Sequence, residues 1–135
     1  PRQRPDSQYA AAVPIFIRRM LDNEPVTIFG DGGQTRDLIS VRDVVQANLI
    51  AAGHPDAPGQ VFNICTGIET RLLDLLEVLF DLFPNMPQPV FMEPRAGDIY
   101  RSIGSPKKAA DMIGFHAKVS LADGLKETVD LMKNQ

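Results

Sequence analysis

The segments that could form β-strands in this chain are short and few, which limits the sheet that it can build. Apolar and β-branched residues predict strands at Val26–Phe29, around Asp37–Ser40, at Val61–Cys65 and at Val90–Glu93. Helical segments alternate with them, so the pattern predicts an α/β fold. A full doubly wound sheet needs more and longer strands than these. We therefore expect a partial α/β fold.

Capping residues mark the beginnings of five helices. A serine or threonine, with an acidic residue three positions later in two cases, is typical of a helix N-terminus. The expected helices begin at Ser7, Ser40, Thr70, Ser105 and Ser120. Neither an internal repeat nor a linker interrupts them, so residues 1–135 are expected to form one domain.

Composition excludes several classes of function. A formal net charge of −3 is unlike the basic surface of a general nucleic-acid-binding protein. No apolar run approaches the length of a membrane span. Cys65 is the one cysteine, so the chain can form neither an intramolecular disulfide nor a paired-cysteine metal site. This cysteine content is typical of a reduced compartment, and we expect a cytoplasmic protein.

The first candidate binding segment is Gly30–Asp37, which reads Gly-Asp-Gly-Gly-Gln-Thr-Arg-Asp. A dinucleotide-binding fingerprint has glycine at its sixth position and precedes a helix, whereas Thr35 stands there and a strand is expected to follow. One interpretation is a hairpin turn with a solvated Arg–Asp pair. In the other, Arg36 is held by Asp37 or by the turn and points towards an anion, because a guanidinium can donate two parallel hydrogen bonds to phosphate.

The second candidate is the proline-bounded loop Glu93–Ser102. Arg95 could bind a phosphate there while Asp98 accepts hydrogen bonds from sugar hydroxyls, or both side chains could simply be solvated. Motifs of metalloproteases, α/β-hydrolases and P-loop proteins are absent from the sequence. Cys65 is expected to be a small core residue. We therefore predict no catalytic residue in this chain.

Nine short segments follow one another in an order and spacing that are typical of one family. They are Pro1–Gln3, Thr27–Gly32, Gln34–Asp37, Val44–Leu49, Phe62–Ile64, Pro94–Asp98, Ser105–Ala109, Gly114–Phe115 and Lys118–Leu121. Together they resemble the C-terminal half of the extended short-chain dehydrogenases, the NAD-dependent epimerase/dehydratase family. The similarity is greatest to UDP-hexose and UDP-N-acetylhexosamine 4-epimerases. It implies that residues 1–135 are the nucleotide-sugar-binding domain, without the N-terminal Rossmann half.

The resemblance implies roles for four residues. Phe29 corresponds to the aromatic residue that lies against the uracil ring, and Arg36 and Arg95 correspond to two arginines that bind the diphosphate. Asp98 corresponds to the carboxylate that holds the ribose. The expected ligand is therefore a UDP-sugar or a dTDP-sugar, and neither a nucleic acid nor a membrane is expected as a partner.

The same resemblance shows what the chain lacks. Full-length relatives are expected to use NAD, which supplies the redox chemistry. This sequence has no Gly-rich dinucleotide fingerprint, and neither tyrosine begins a Tyr-x-x-x-Lys pair, since Val13 follows Tyr9 and Gly104 follows Tyr100 at that spacing. We expect this fragment to bind no cofactor and to be inactive alone.

Two alternatives to a 4-epimerase fragment stay open. One is a fragment of a sugar-nucleotide dehydratase, although the dehydratases tend to have Arg-Pro-Gly-His-Asp where residues 95–98 read Arg-Ala-Gly-Asp. The other is a free-standing, non-enzymatic protein that binds a nucleotide or only forms a stable fold.

Apolar surface predicts self-association. In the resembled fold, Val61–Cys65 and parts of the first two helices pack against the NAD-binding half. An isolated chain would expose Val45, Leu49, Val61 and Ile64 beside an open strand edge, and exposed apolar patches and strand edges recruit partners. We expect a homodimer or a larger homo-oligomer.

Overall fold

The computed structural model describes residues 12–134. The expectations for Pro1–Gln3 and for Ser7 as a helix cap lie outside these residues. Helices and short strands alternate along the described chain, which confirms the predicted α/β class. The elements are α1 (Ala12–Leu21), β1 (Thr27–Phe29), β2 (Thr35–Arg36), α2 (Val41–Gly53), β3 (Thr70–Arg71), α3 (Leu72–Leu82), β4 (Val90–Met92), α4 (Lys107–Ile113) and α5 (Leu121–Lys133).

The strands form two small sheets, β1 with β4 and β2 with β3. The chain divides into two compact units, and neither is continuous in sequence. Among the described residues, unit 1 contains residues 12–34, Arg71–Ile99 and residues 125–134, and unit 2 contains Thr35–Thr70 and Tyr100–Gly124. A single nucleotide-sugar-binding domain over residues 1–135 stays a prediction.

Unit 1 is built around the parallel pair β1–β4. In its register Thr27 lies opposite Val90 and Phe29 lies opposite Met92. The central residue of β1, Ile28, is fully buried. Helix α3 contributes a buried apolar face at helical spacing, as its sequence predicts. Other buried apolar residues of unit 1 include Phe16, Ile17, Met20, Val26, Leu75, Leu76, Leu79, Phe83, Leu125 and Val129.

The turn after β1 requires glycine at position 32. Gly32 has a φ of +75°, a backbone conformation that side chains disfavour. A Cβ atom there would lie 2.8 Å from Cδ2 of Leu73, and the Leu73 N–H donates to the Gly32 carbonyl at 3.2 Å. The predicted turn is therefore confirmed, and it is packed directly on the first turn of α3.

Unit 2 has its own apolar core, which joins α2 to α4. Ala47, Ala109, Ile113 and Phe115 are buried there. Helix α4 ends where predicted, at Gly114 with a φ of +67°.

The N-terminus of α2 differs from the predicted capping box. Ser40 Oγ accepts from the Arg42 N–H at 3.2 Å, so Ser40 does cap α2. The Asp43 side chain, however, is buried and accepts from the N–H groups of Lys118 and Val119, at 3.1 and 3.0 Å. Its carboxylate therefore joins α2 to a distant loop of the same unit.

Several predicted element boundaries are wrong. The N-cap of α4 is Pro106 and not Ser105, so Pro106 precedes the helix and is not its first residue. Residues 61–65 form no strand, because Val61 is 81% exposed and no ladder among the described residues includes this segment. The second strand is Thr35–Arg36 and not residues 37–40, which belong to no strand ladder within residues 12–134. Helix α3 begins at Leu72, since Thr70 and Arg71 belong to β3.

Candidate functional site

The carboxyl ends of β1 and β4 place an aromatic ring and a guanidinium in contact. Because the strands are parallel, Phe29 and Met92 both end their strands at the same edge, and the Gly30 N–H donates to the Met92 carbonyl at 2.9 Å. The chain after β4 turns at Pro94, and the Arg95 guanidinium lies over the Phe29 ring, 3.8 Å from its centroid. Ligands of open α/β sheets commonly bind at this edge of the strands.

Arg95 and Asp98 are the two ends of one tight turn. The Asp98 N–H donates to the Arg95 carbonyl at 3.2 Å, and Gly97, the third residue, has a φ of +81°. A positive φ at this position is typical of a type II turn. Both terminal side chains are exposed. The turn thus presents a cation and a carboxylate to solvent beside Phe29.

The segment after Phe29 is held by its own side chains. Asp31 Oδ1 accepts from the Gly33 N–H at 2.8 Å, and Gln34 Nε2 donates to the Phe29 carbonyl at 2.8 Å. The Gln34 side chain therefore bridges the turn and fixes the backbone that carries the ring.

Arg36 lies in unit 2, on β2, and is half-buried. Its Nη1 donates to the carbonyl of Thr35 at 2.8 Å. The Thr35 backbone is itself fixed, because its N–H donates to the Tyr100 carbonyl at 2.8 Å and its carbonyl accepts from the Ser102 N–H at 3.2 Å. β2 therefore holds Arg36 on a constrained backbone.

The next residue, Asp37, accepts hydrogen bonds from a loop of the same unit. Its Oδ1 accepts from the N–H and the hydroxyl of Thr66, at 2.8 and 2.6 Å, and its Oδ2 accepts from the Gly67 N–H at 2.8 Å. Burial raises the pKa of Asp37, but the Thr66 hydroxyl and the N–H groups of Thr66, Gly67 and Gly104 outweigh it and hold the pKa below its ordinary value.

This lowered pKa predicts how stability depends on pH. The contribution of a carboxylate with a depressed folded-state pKa is complete above its ordinary value and is lost as the pH falls through the folded pKa. We expect Asp37→Asn to lower the free energy of unfolding by about 1–2 kcal/mol at pH 7. The deficit should shrink as the pH falls below the ordinary carboxyl range and disappear once the pH is below the lowered folded-state pKa, where the wild-type side chain is protonated as well.

Urea unfolding at a series of pH values measures this difference. Asp111→Asn, at an exposed helical pair with Lys107, is the control and should have little effect at any pH. A deficit for Asp37→Asn that is the same at pH 7 and pH 2.5 would contradict the assignment.

Two further features of unit 2 concern residues outside the predicted site. Cys65 is buried, as expected for a core residue, and burial together with the nearby charge of Asp37 raises its pKa, which disfavours the reactive thiolate.

Arg101 was not predicted as a functional residue. Its Nε donates to Glu69 Oε1, and this hydrogen bond lowers the pKa of Glu69. Nothing in the local sequence indicates this pair, because its members are distant in the chain.

Among residues 12–134, no helix is both long and apolar enough to cross a bilayer. In the same part of the chain, no cluster of three or more His, Cys, Asp or Glu side chains is arranged to hold a metal ion.

Known proteins that are similar to this chain include nucleotide-sugar enzymes. The model of the NAD dependent epimerase/dehydratase family matches residues 1–65. The UDP-glucose 4-epimerase of Mycolicibacterium smegmatis is 38% identical over 135 residues, which are 100% of this chain and 42% of the relative. The crystal structure of UDP-glucose 4-epimerase with UDP-glucose from Thermotoga maritima has a TM-score of 0.92 and 43% identity, and the match covers 99% of this chain and 42% of that one.

UDP-glucuronic acid 4-epimerase from Bacillus cereus, in complex with UDP-glucuronic acid and NAD, is also similar. Its TM-score is 0.88 at 31% identity, over 99% of this chain and 42% of that one. Over its whole length the chain is therefore similar to members of the NAD-dependent epimerase/dehydratase family. It spans about two fifths of the length of these relatives, with 42% of each covered.

The four predicted binding residues fall into two groups. Unit 1 brings Phe29 and Arg95 into contact and places Asp98 at the end of the same turn. Arg36 lies in unit 2. Their roles in ligand binding stay predictions.

Proposed function

We propose that this chain is the UDP-sugar-binding part of a sugar-nucleotide 4-epimerase. In this proposal the uracil ring lies against Phe29, Arg95 and Arg36 bind the diphosphate, and Asp98 accepts from the ribose hydroxyls. The observation that carries the proposal is the contact between the Arg95 guanidinium and the Phe29 ring.

This contact supports nucleotide binding because it joins two complementary recognition groups. A flat pyrimidine can stack on an aromatic face, and a guanidinium donates paired hydrogen bonds to phosphate oxygens. A nucleoside diphosphate presents both chemical groups a few bonds apart. The exposed side chain of Arg95 leaves the guanidinium accessible to such a ligand.

The relatives support uridine as the nucleoside. The Thermotoga maritima structure contains UDP-glucose, and the Bacillus cereus structure contains UDP-glucuronic acid. The sugars differ between them, so the part of the ligand common to both is UDP. We therefore propose UDP as the recognised group and leave the sugar open.

Removal of either arginine is expected to weaken UDP binding. A hydrogen bond to a charged group contributes about 1.5–3 kcal/mol, which corresponds to roughly tenfold to hundredfold in affinity. We expect Arg95→Ala and Arg36→Ala each to raise the Kd for UDP within this range. The wild-type Kd should be on the order of millimolar, because a partial site is less preorganised. Ligand-observed NMR is suited to this range.

Uridine has no phosphate, so its binding tests the role of Phe29 separately from the role of the arginines. Arg95→Ala should leave the Kd for uridine unchanged or lower it, since the Phe29 ring becomes uncovered, whereas Phe29→Leu should weaken binding of both uridine and UDP. Arg18→Ala, at an exposed pair with Asp22, is the matched control for loss of a surface cation. UDP binding that is equal in the wild type and in both arginine variants would place the ligand elsewhere.

A further inference from the structure

Asp37 is one residue beyond Arg36, yet its carboxylate accepts hydrogen bonds from a different part of unit 2. Thr66, Gly67 and Gly104 donate to it, and these residues together with Asp37 are called the Asp37 cluster below. Both carboxylate oxygens are engaged, at 2.6 to 2.8 Å from the Thr66 and Gly67 donors.

The donors of the Asp37 cluster sit on tightly packed backbone. Gly67 has a φ of +75°, and a Cβ atom on it would lie 3.0 Å from Cδ of Pro106. A Cβ atom on Gly104 would lie 2.6 Å from Sγ of Cys65. Neither segment has room for even a methyl group without a shift of its neighbours. Hydrogen bonds from these segments therefore attach the chain at Asp37 to a rigid support.

We propose that Asp37 is a positioning residue for Arg36, which it places by fixing the backbone at the end of β2 to the Thr66–Gly67 loop. The inference rests on the proposed function, because it assumes that Arg36 binds the diphosphate. β2 has two residues, so few ladder hydrogen bonds hold it. The Thr35 backbone is bonded on one side of Arg36, and the Asp37 cluster constrains the other side.

The chemistry of the cluster requires a carboxylate. Only an ionised carboxyl group offers two acceptor oxygens with no donor, which matches the set of N–H and O–H donors around Asp37. In Asp37→Asn one oxygen is replaced by an NH₂ group, which would face N–H donors. We expect the backbone at residues 36 and 37 to move away from the loop in this variant while the fold is retained.

Asp43 is a matched control within the same unit. Its carboxylate also accepts two backbone N–H hydrogen bonds, from Lys118 and Val119, but it lies in α2 and not beside Arg36. Asp43→Asn therefore removes the same kind of interaction and lowers stability in the same way. A purely structural role for Asp37 predicts equal behaviour of the two variants.

The test compares the UDP affinity of the folded 135-residue chain in Asp37→Asn, Asp43→Asn, Arg36→Ala and the double variant Arg36→Ala/Asp37→Asn. We expect Asp37→Asn to raise the Kd for UDP about tenfold, within the usual range of coupling between neighbouring residues, and Asp43→Asn to leave it unchanged. In the double variant the Kd should equal that of Arg36→Ala, since a residue that acts only through Arg36 has no effect once Arg36 is removed.

The outcomes separate this inference from the proposed function. Loss of affinity in Arg36→Ala with equal affinities for Asp37→Asn and Asp43→Asn would overturn the positioning role and leave the proposed function intact. Additive losses in the double variant would also overturn it. If Arg36→Ala binds UDP as well as the wild type does, the proposed role of Arg36 fails and the inference fails with it. As a second readout, hydrogen exchange at the Ser102 amide, which is bonded to Thr35, should accelerate in Asp37→Asn and not in Asp43→Asn.

Discussion

With NAD and UDP-galactose, the isolated 135-residue chain is expected to form no UDP-glucose. The 4-epimerase relatives are more than twice as long as the matched segment, which covers 42% of them. Within the sequence, neither Tyr9 nor Tyr100 has a lysine four residues later, and no Gly-rich dinucleotide fingerprint is present. We therefore expect these 135 residues alone to supply neither the base that removes the sugar hydroxyl proton nor a site for the hydride acceptor.

We expect the isolated chain to lack the entire rate acceleration of a full-length epimerase. Typical enzymes turn over at about 10 s⁻¹, and we expect the isolated chain to be slower by at least about 10⁴-fold. Chromatography of the nucleotide sugars after long incubation measures this, with the full-length Mycolicibacterium smegmatis relative as the positive control. Product formation above that of a boiled sample would contradict the proposal that the chain only binds substrate.

The second large effect concerns self-association, which we expect at micromolar concentrations. Val41, Val45 and Leu49 on α2 are 51%, 49% and 63% exposed. Their spacing of four residues places them on one face of the helix. An exposed apolar face of this kind is typical of an interface. The predicted contribution of Ile64 is weaker, because this residue is half-buried, and no strand edge forms at residues 61–65.

A single charge on this face should abolish the oligomer. We expect Leu49→Glu to raise the dissociation constant about a hundredfold or more, since burial of an unpaired carboxylate costs several kcal/mol. Leu131→Glu, which introduces the same charge at a 42% exposed leucine of α5, is the matched control and should leave the assembly unchanged. Sedimentation velocity over a dilution series provides the masses. A monomer mass for the wild type at high micromolar concentration would contradict the expectation.

Local signals in the sequence predicted two helix ends and the glycine turn correctly. Gly114 ends α4, Ser120 Oγ accepts from the Asp123 N–H at 3.1 Å at the start of α5, and Gly32 lies in the turn after β1. Each of these features depends on residues within a few positions of one another. Backbone conformation and capping are short-range effects, so they can be read from the chain directly.

Features that depend on distant residues could not be predicted. An apolar run such as residues 61–65 has no strand partner of its own, and only tertiary packing decides whether it joins a sheet. Asp37 was interpreted as a possible partner of Arg36 because they are adjacent, whereas its identified donors lie on a loop 29 and 30 residues away and at Gly104. The contact of Arg95 with Phe29 follows from the parallel register of β1 and β4, which the sequence does not specify.

The interleaving of the two units along the chain has a consequence for gene recombination. Unit 2 consists of Thr35–Thr70 and Tyr100–Gly124, with a stretch of unit 1 inserted between them in sequence. A single crossover with a homologous gene at any position from 36 to 123 would join parts of unit 2 from different parents. Chimaeras that keep the Asp37 cluster native must take residues 37, 66, 67 and 104 from one parent. A single crossover inside this span cannot do so, whereas a pair of crossovers can if both lie between 37 and 66 or both lie between 67 and 104.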